Sequence, residues 1–377
     1  MILANGYVMD ATFNLQKMDV RIAGDQIVEL GCGLTGDEVL DLRGMYILPG
    51  FIDSHMHGAN GGRVSGDLED LRKITQYEAT QGVTSIAVTT ATSEHSELLR
   101  QIGMAYRAAQ ETHGAKIAAI HAEGPFINRK RKGAMDERYI AQPDIQKFDQ
   151  MLKAGGGLLK LMTLAPELCG CEQLIRHAKA CGVTVSLGHT DATLEEANRG
   201  FAAGASQLTH TCNGMRPLKH RDPGVLGAGL TNPEVVCEMI CDYVHLHPAT
   251  VQLIYLAKGA DKINIISDSE QATGLEITEF SAGGMTCYIK AGVIRLSDGT
   301  IAGSAKSMLD GIRNLLRSGI PLEDVSKMAS RNPARTLQIW DRTGSIQKGK
   351  QADLVVLTKE YDVLYTFVDG KMVYTKE

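Results

Sequence analysis

With 377 residues, 44% of them hydrophobic, the chain can bury a sizeable core and exceeds what a minimal single domain needs. A formal net charge of -5 leaves no electrostatic footprint for nucleic acid, and no apolar stretch approaches the roughly 20 residues that span a bilayer; neither is expected as a partner. Eight scattered cysteines, the nearest pair being Cys169 and Cys171 without Cys-x-x-Cys spacing, read as free thiols of a reducing compartment, and residues 1–6 lack a basic segment leading into an apolar one, so a cytoplasmic protein is expected.

Residues 1 to about 45 read as short strands and turns: Tyr7-Val8-Met9, Val20-Arg21-Ile22 and Gln26-Ile27-Val28-Glu29-Leu30, each bounded by Gly or Asp. Short apolar runs separated by helix-length segments follow, the pattern of parallel strands in an α/β protein. Eight such runs end near His57, Thr92, Glu123, Pro166, His189, His210, His245 and Asp268, and eight parallel strands close a barrel. Residues 285–301 read as a β-hairpin turning at Asp298-Gly299, followed by helices over 304–317 and 322–330 and another beginning near Pro333. The last strands are predicted over 352–357, 363–368 and 371–374, with Asp369-Gly370 as a hairpin turn because both residues tolerate positive φ. Neither end can bury a sheet alone. The expected fold is therefore α/β: a (β/α)8 TIM-like barrel over 48–344, with a small β-sandwich domain formed by the N- and C-terminal segments, 1–47 and 345–377.

Polar residues at the carboxyl ends of barrel strands are where this architecture builds its active sites. His55 and His57 share one strand face at i, i+2, so both imidazoles can reach one ion. Glu123 precedes Gly124-Pro125, where the chain must turn, and suits a borderline cation such as zinc or ferrous iron. His189, His210 and Asp268 also end apolar runs. Each is a weak signal alone, and Asp268 reads equally as ligand, general base or helix cap. Together they predict a metal site of His55, His57, Glu123, His189, His210 and Asp268. Gly214, after Asn213, would let backbone approach an anion, and Arg221 offers a planar fork for phosphate or carboxylate. His245 and His247 read as ligands, substrate contacts or caps. No Walker loop or Gly-x-Ser-x-Gly is present, so a P-loop nucleotide site and a serine nucleophile receive no support.

These segments resemble the amidohydrolase superfamily and, within it, the N-acetylglucosamine-6-phosphate deacetylase family. The resemblance runs nearly end to end, through Pro49-Gly50-Phe51-Ile52-Asp53-Ser54-His55-Met56-His57-Gly58, His121-Ala122-Glu123-Gly124-Pro125-Phe126, Gly188-His189-Thr190, His210-Thr211-Cys212-Asn213-Gly214-Met215, Arg221-Asp222-Pro223-Gly224 and Asn332-Pro333-Ala334. It implies a divalent metal, zinc or iron, held by Glu123, His189 and His210, a second ion permitted by His55 and His57, and Asp268 as acid/base. It also implies an amino-sugar phosphate substrate contacted by Ala134, Met135, Asn213, Gly214, His245 and the Ile301-Ala302-Gly303 stretch, with Arg221 reaching in from the partner of a homodimer. The implied reaction is deacetylation of N-acetylglucosamine 6-phosphate, with its galacto epimer or a related acylated amino-sugar as the alternative. A non-catalytic sugar-phosphate sensor is the more distant reading, which retention of Asp268 opposes. A cyclic amidase bearing a carbamylated lysine is opposed by Lys160, which comes too early in its strand. Three positions depart from the family: Met135 replaces a common His, Tyr243 lies in Asp242-Tyr243-Val244-His245 where Asp-Gly is usual, and Glu270 adds a carboxylate two residues after Asp268.

Overall fold

The computed structural model describes every residue except 112, 283 and 377. At the N-terminus β1 (Ile2–Met9) pairs antiparallel with β2 (Leu15–Ala23), and β2 with β3 (Gln26–Gly31). The other edge of β1 is taken in parallel by β4 (Val39–Asp41) and then β5 (Tyr46–Pro49). Gly50 leads directly into the barrel because nothing larger fits: a Cβ there would stand 2.2 Å from the Thr84 side chain.

The first barrel strand is β6 (Phe51–Met56), followed by a two-residue ribbon of β7 (Gly58–Ala59) and β8 (Gly62–Arg63). The remaining barrel strands are β9 (Val83–Thr90), β10 (Lys116–Glu123), β11 (Leu159–Leu164), β12 (Thr184–Leu187), β13 (Gln207–Leu208), β14 (Val236–Ile240) and β15 (Ile263–Ile266). They run parallel in sequence order from β6 to β15. The barrel is tied shut where the His55 carbonyl accepts from Asp268 N at 3.0 Å. All residues of β9 and β15 are buried, as expected of strands covered on both faces. Outer helices follow the usual start signals. Asp67 accepts from the backbone of Glu69 and Asp70 to open Leu68–Thr80, and Ser307 and Asp310 form a reciprocal capping box for Met308–Arg317. Inside the barrel, Ile52, Ala87, Ala119 and Leu161 pack against Ala334, Leu337 and Ile339 from the end of the helical region, which plugs the floor.

After β15 the structure departs from the single hairpin expected over 285–301. Four antiparallel strands form a meander: β16 (Glu279–Ala282), β17 (Met285–Lys290), β18 (Val293–Leu296) and β19 (Ile301–Ser304). Asp298-Gly299 does turn the chain, between β18 and β19, while a second turn lies at Ala291 (φ 52°) and Gly292 (φ 74°). An alanine in the left-handed region hid that turn, since the conformation favours Gly or Asn. The expected helix over 304–317 starts only at Met308, and that over 322–330 is Leu322–Ser326 widening into a π-type turn, Lys327–Arg331. A third helix follows at Asn332–Thr336.

The chain then returns to the first sheet as β20 (Leu354–Leu357), β21 (Val363–Val368) and β22 (Lys371–Thr375), giving the path β22-β21-β20-β5-β1-β2-β3. Period-2 alternation assigns its faces. Ile47, Leu354 and Val356 join the small domain's own core with Leu3, Val8 and Phe367, while Leu48, Val355 and Leu357 pack on the barrel. Lys116 fastens the two parts, its Nζ lying 2.8 Å from Asp353 and 2.7 Å from Asp369.

Candidate metal centre

One local rule positions the polar residues: each sits at or just past the carboxyl end of a barrel strand. His55 lies within β6 and His57 one residue beyond it, Glu123 ends β10, and His189, His210 and Asp268 each lie two residues past β12, β13 and β15. The last three adopt left-handed backbone, with φ of 49°, 29° and 51°. For a residue with a Cβ that conformation costs roughly 1–2 kcal/mol, and such outliers concentrate at functional sites.

Every imidazole is oriented from behind. His57 Nδ1 donates to the Thr89 carbonyl at 3.0 Å, His189 Nδ1 to the Arg131 carbonyl at 2.7 Å, and His210 Nδ1 to the Asn213 carbonyl at 3.0 Å. His55 Nδ1 lies 3.0 Å from Glu238 Oε2. A carbonyl can only accept, so the proton is fixed on Nδ1 and the Nε2 lone pair faces inward. The inward atoms converge. His189 Nε2 and His210 Nε2 are 3.1 Å apart, and lie 3.1 and 2.9 Å from Glu123 Oε1. His57 Nε2 is 3.1 Å from Glu123 Oε2 and 3.4 Å from Asp268 Oδ1; His55 Nε2 is 3.5 Å from both carboxylates and, although fully buried, has no hydrogen-bond partner among the described residues.

Neutral lone pairs and carboxylate oxygens pointed at one another repel unless positive charge sits between them. The titration behaviour of the protein alone reflects this. Burial disfavours the His57 imidazolium, yet hydrogen bonding to Asp268 and Glu123 and their charges lift its pKa to about 10. Against the same effect of burial, His55 is held up by Glu123 and Glu238, and His189 by Glu123. Asp268, which burial alone would raise, is pulled down to about 2 by the His57 hydrogen bond and the neighbouring histidines. A divalent cation would supply the missing charge, and nitrogen and oxygen donors of this kind suit borderline cations. The donors divide into Glu123, His189 and His210 on one side and His55, His57 and Asp268 on the other, with Glu123 facing both.

The centre floors a cavity of about 350 Å³, at the small end of the range for small-molecule sites. Ala134, Met135, Asn213 and Gly214 line it, as do His245, Ile301, Ala302 and Gly303. Met135 also accepts a contact from Thr92 N at 3.4 Å through its sulfur. His245 Nδ1 is 2.8 Å from Asp242 Oδ2; burial works against the imidazolium, but this carboxylate raises its pKa. Arg221 is not brought there; it is exposed in the loop closed by Lys219 and Asp222. Tyr243 is turned away, its hydroxyl donating to the Asn314 carbonyl at 2.9 Å. His247 caps the helix Pro248–Lys258 by accepting from Ala249 N.

Sequence reasoning missed Glu238, whose two oxygens take His55 Nδ1, the His210 N–H at 3.1 Å and Gln207 Nε2 at 2.6 Å. Its signal was a lone charge within the apolar run Val236–Ile240. It also missed the wall contributed by the meander, including Met285, Cys287 and Leu296.

The amidohydrolase family profile matches residues 46–373. The N-acetylglucosamine-6-phosphate deacetylase of Bacillus subtilis is 37% identical, the alignment covering 87% of this chain and 84% of that one. The N-acetylgalactosamine-6-phosphate deacetylase of Escherichia coli is 34% identical over 86% and 87%. Among solved structures, an aspartate-to-alanine mutant of N-acetyl-D-glucosamine-6-phosphate deacetylase from Mycobacterium smegmatis, in complex with N-acetyl-D-glucosamine-6-phosphate, matches with a TM-score of 0.94 at 30% identity over 100% of this chain and 99% of that one. A profile spanning most of the chain and relatives matched over most of their length lead to one conclusion: this chain belongs to the amidohydrolase family and, within it, to the N-acetylglucosamine-6-phosphate deacetylases.

Proposed function

We propose that the protein hydrolyses the acetamide of N-acetylglucosamine 6-phosphate, giving acetate and glucosamine 6-phosphate. The observation that carries this reading is the convergence of four imidazole Nε2 atoms and two carboxylates at the floor of a substrate-sized cavity, in a chain whose relatives bear that activity. Glu123, His189 and His210 would hold one divalent ion, zinc or iron, and His55, His57 and Asp268 would admit a second. The bound metal would polarise the acetamide carbonyl and make water a better nucleophile. Asp268, ionised at neutral pH, is the group we assign to take the proton of the attacking water and deliver it to the departing nitrogen. The water oxygen adds to the acetamide carbon as Asp268 takes its proton, and the C–N bond then breaks as that proton reaches the departing nitrogen, leaving acetate and the amine.

The same scheme serves N-acetylgalactosamine 6-phosphate, the substrate named for the Escherichia coli relative. We assign the phosphate to the Asn213-Gly214 end of the cavity and to His245, completed by Arg221 of a partner in a homodimer. Exposed Leu218, in the same loop as Arg221, and exposed Leu253 and Leu256 of the helix Pro248–Lys258 are apolar surface that such a contact would cover. We place the protein in the cytoplasm and take 48–344 as the catalytic barrel, with 1–47 and 345–377 as the accessory domain. No helix among the described residues is long and apolar enough to cross a membrane. Acetate release by metal-replete protein, measured on both epimeric 6-phosphates and their unphosphorylated sugars, tests the reading; absence of release from all four would overturn it.

A further inference from the structure

The catalytic assignment leaves Glu270, a carboxyl group of the cavity lining, without a role. Glu270 lines the cavity beside Asp268, on the side walled by Met285, Cys287 and Ile301. Its backbone is pinned, the amide N donating to the Ser304 carbonyl at 3.1 Å. Its carboxylate is not: the one hydrogen bond it receives among the described residues is from Gln271 N at 3.4 Å, and it has no ion-pair partner there. The chain makes room for this placement. Gly303 faces it at φ 68°, and a Cβ on Gly303 would stand 2.6 Å from Glu270 Cγ. A carboxyl group bordering the cavity beside Met285, Cys287 and Ile301 is the kind of placed polar group that fixes a ligand's orientation.

The cavity lining is of two chemical kinds. Gly133 and Gly214 pack against the His189 ring, a Cβ on either falling within 3.0–3.3 Å of it, so bare backbone borders the site next to Asn213. Asp268 and Glu270 contribute carboxyl groups. An anionic phosphate is repelled by these and accommodated by the bare backbone and by His245, while a sugar hydroxyl hydrogen-bonds a carboxyl group in either protonation state. If the acetamide lies over the metal donors with the phosphate at Asn213-Gly214, the hydroxyls nearest Glu270 are those vicinal to the acetamido carbon, on C1 and C3. The 4-hydroxyl, beside the carbon that carries the phosphorylated arm, then lies on the phosphate side.

We propose that Glu270 is a substrate-orienting residue that hydrogen-bonds a ring hydroxyl vicinal to the acetamido group, and that it is indifferent to the C4 epimer. This rests on the deacetylase reading above. The test compares wild type, Glu270→Gln and Glu270→Ala on N-acetylglucosamine 6-phosphate, its 1-deoxy, 3-deoxy and 4-deoxy analogues, and the galacto epimer, with metal content measured for each protein. Glu270→Ala is expected to raise KM about tenfold to a hundredfold, the scale of a lost hydrogen bond to a charged group, with kcat and metal content within about threefold of wild type. Glu270→Gln, which still hydrogen-bonds a hydroxyl, should recover most of that loss. The penalty should vanish on the 1-deoxy or the 3-deoxy analogue, persist on the 4-deoxy analogue, and be equal on the two epimers. An unchanged KM, a loss of kcat or metal in place of KM, a penalty equal on all analogues, or one abolished by 4-deoxygenation would each overturn the proposal. Inactivity of the wild type on both epimers would instead strike the deacetylase reading itself.

Discussion

Glu238 lies behind the metal donors, out of the cavity lining, yet replacing it with Gln should disable them. All three of its partners are donors: His55 Nδ1 at 3.0 Å, the His210 backbone N–H at 3.1 Å and Gln207 Nε2 at 2.6 Å. Glutamine offers one oxygen and one NH2 group, so a donor must face a donor in either orientation. With NH2 toward Gln207, that side chain must flip, and its Oε1 already accepts from Asn264 Nδ2 and Thr336 Oγ1, each at 3.3 Å. With NH2 toward His55, the imidazole is driven to the tautomer protonated on Nε2, which removes a metal donor, and the His210 N–H loses its acceptor. An unsatisfied buried donor costs about 1–3 kcal/mol, and loss of a group that orients a metal-binding histidine typically lowers metal affinity about 10–100-fold. The expected outcome for Glu238→Gln is therefore a metal affinity lowered by that factor, greatest for the ion on the His55 side, with a lower melting temperature of the metal-free protein. Competition with a graded chelator, followed by elemental analysis, measures the affinity, and thermal unfolding measures the stability. A Glu238→Gln variant that holds metal about as tightly as wild type would refute the argument that donor orientation fixes the tautomer.

Asp268→Asn should fold and retain most of its metal while turnover falls roughly 10²–10⁴-fold, the range for loss of a proton-transfer group; near-normal turnover would remove Asp268 from that role. Arg221→Ala should raise KM for the 6-phosphorylated substrate at least about tenfold, a charge-assisted phosphate contact being worth about 1.5–3 kcal/mol, and hardly alter it for the unphosphorylated sugar. Mixing Arg221→Ala with Asp268→Asn chains should restore partial activity, since one mixed site keeps both groups; a proven heterodimer without complementation would confine Arg221 to its own subunit. Metal-replete protein should contain more than one equivalent of metal per chain, and acid should release it, because protonation of the four imidazoles competes with metal. A stoichiometry fixed at one would return His55 and His57 to a supporting role.

The barrel was readable because its strands are buried on both faces, so each appears as an apolar run, and because polar side chains such as Glu123 and Asp268 interrupt those runs where the strands end. Even β13, only two residues long, was marked by the residues around it. The meander was under-read because its turn at Ala291 uses a residue that rarely takes positive φ, and because strands such as β16 expose alternate residues. Glu238 escaped notice for a related reason: hydropathy registers the run that contains it, while its partners at 207 and 55 are distant in sequence. Glu270 was visible as a departure, but its exposure to the cavity depends on Gly303 opposite, a pairing that only the fold creates. Arg221 remains exposed on its own chain, and a single sequence carries no geometry for a neighbouring subunit.

The pairing of β5 with β20 has a consequence for how the molecule is made. Tyr46–Pro49 finds its antiparallel partner in Leu354–Leu357, about 300 residues later, a delay of roughly 15–60 s at ribosomal speeds of about 5–20 residues per second. Throughout that interval the β5 edge of the amino-terminal strands stays open, and Ala334, Leu337 and Ile339, which plug the barrel floor, are made only shortly before Leu354. Neither part can reach its final form before those segments have been synthesised. The nascent chain should therefore engage holding chaperones over that interval, and closure of the first sheet should wait on the emergence of Leu354–Leu357.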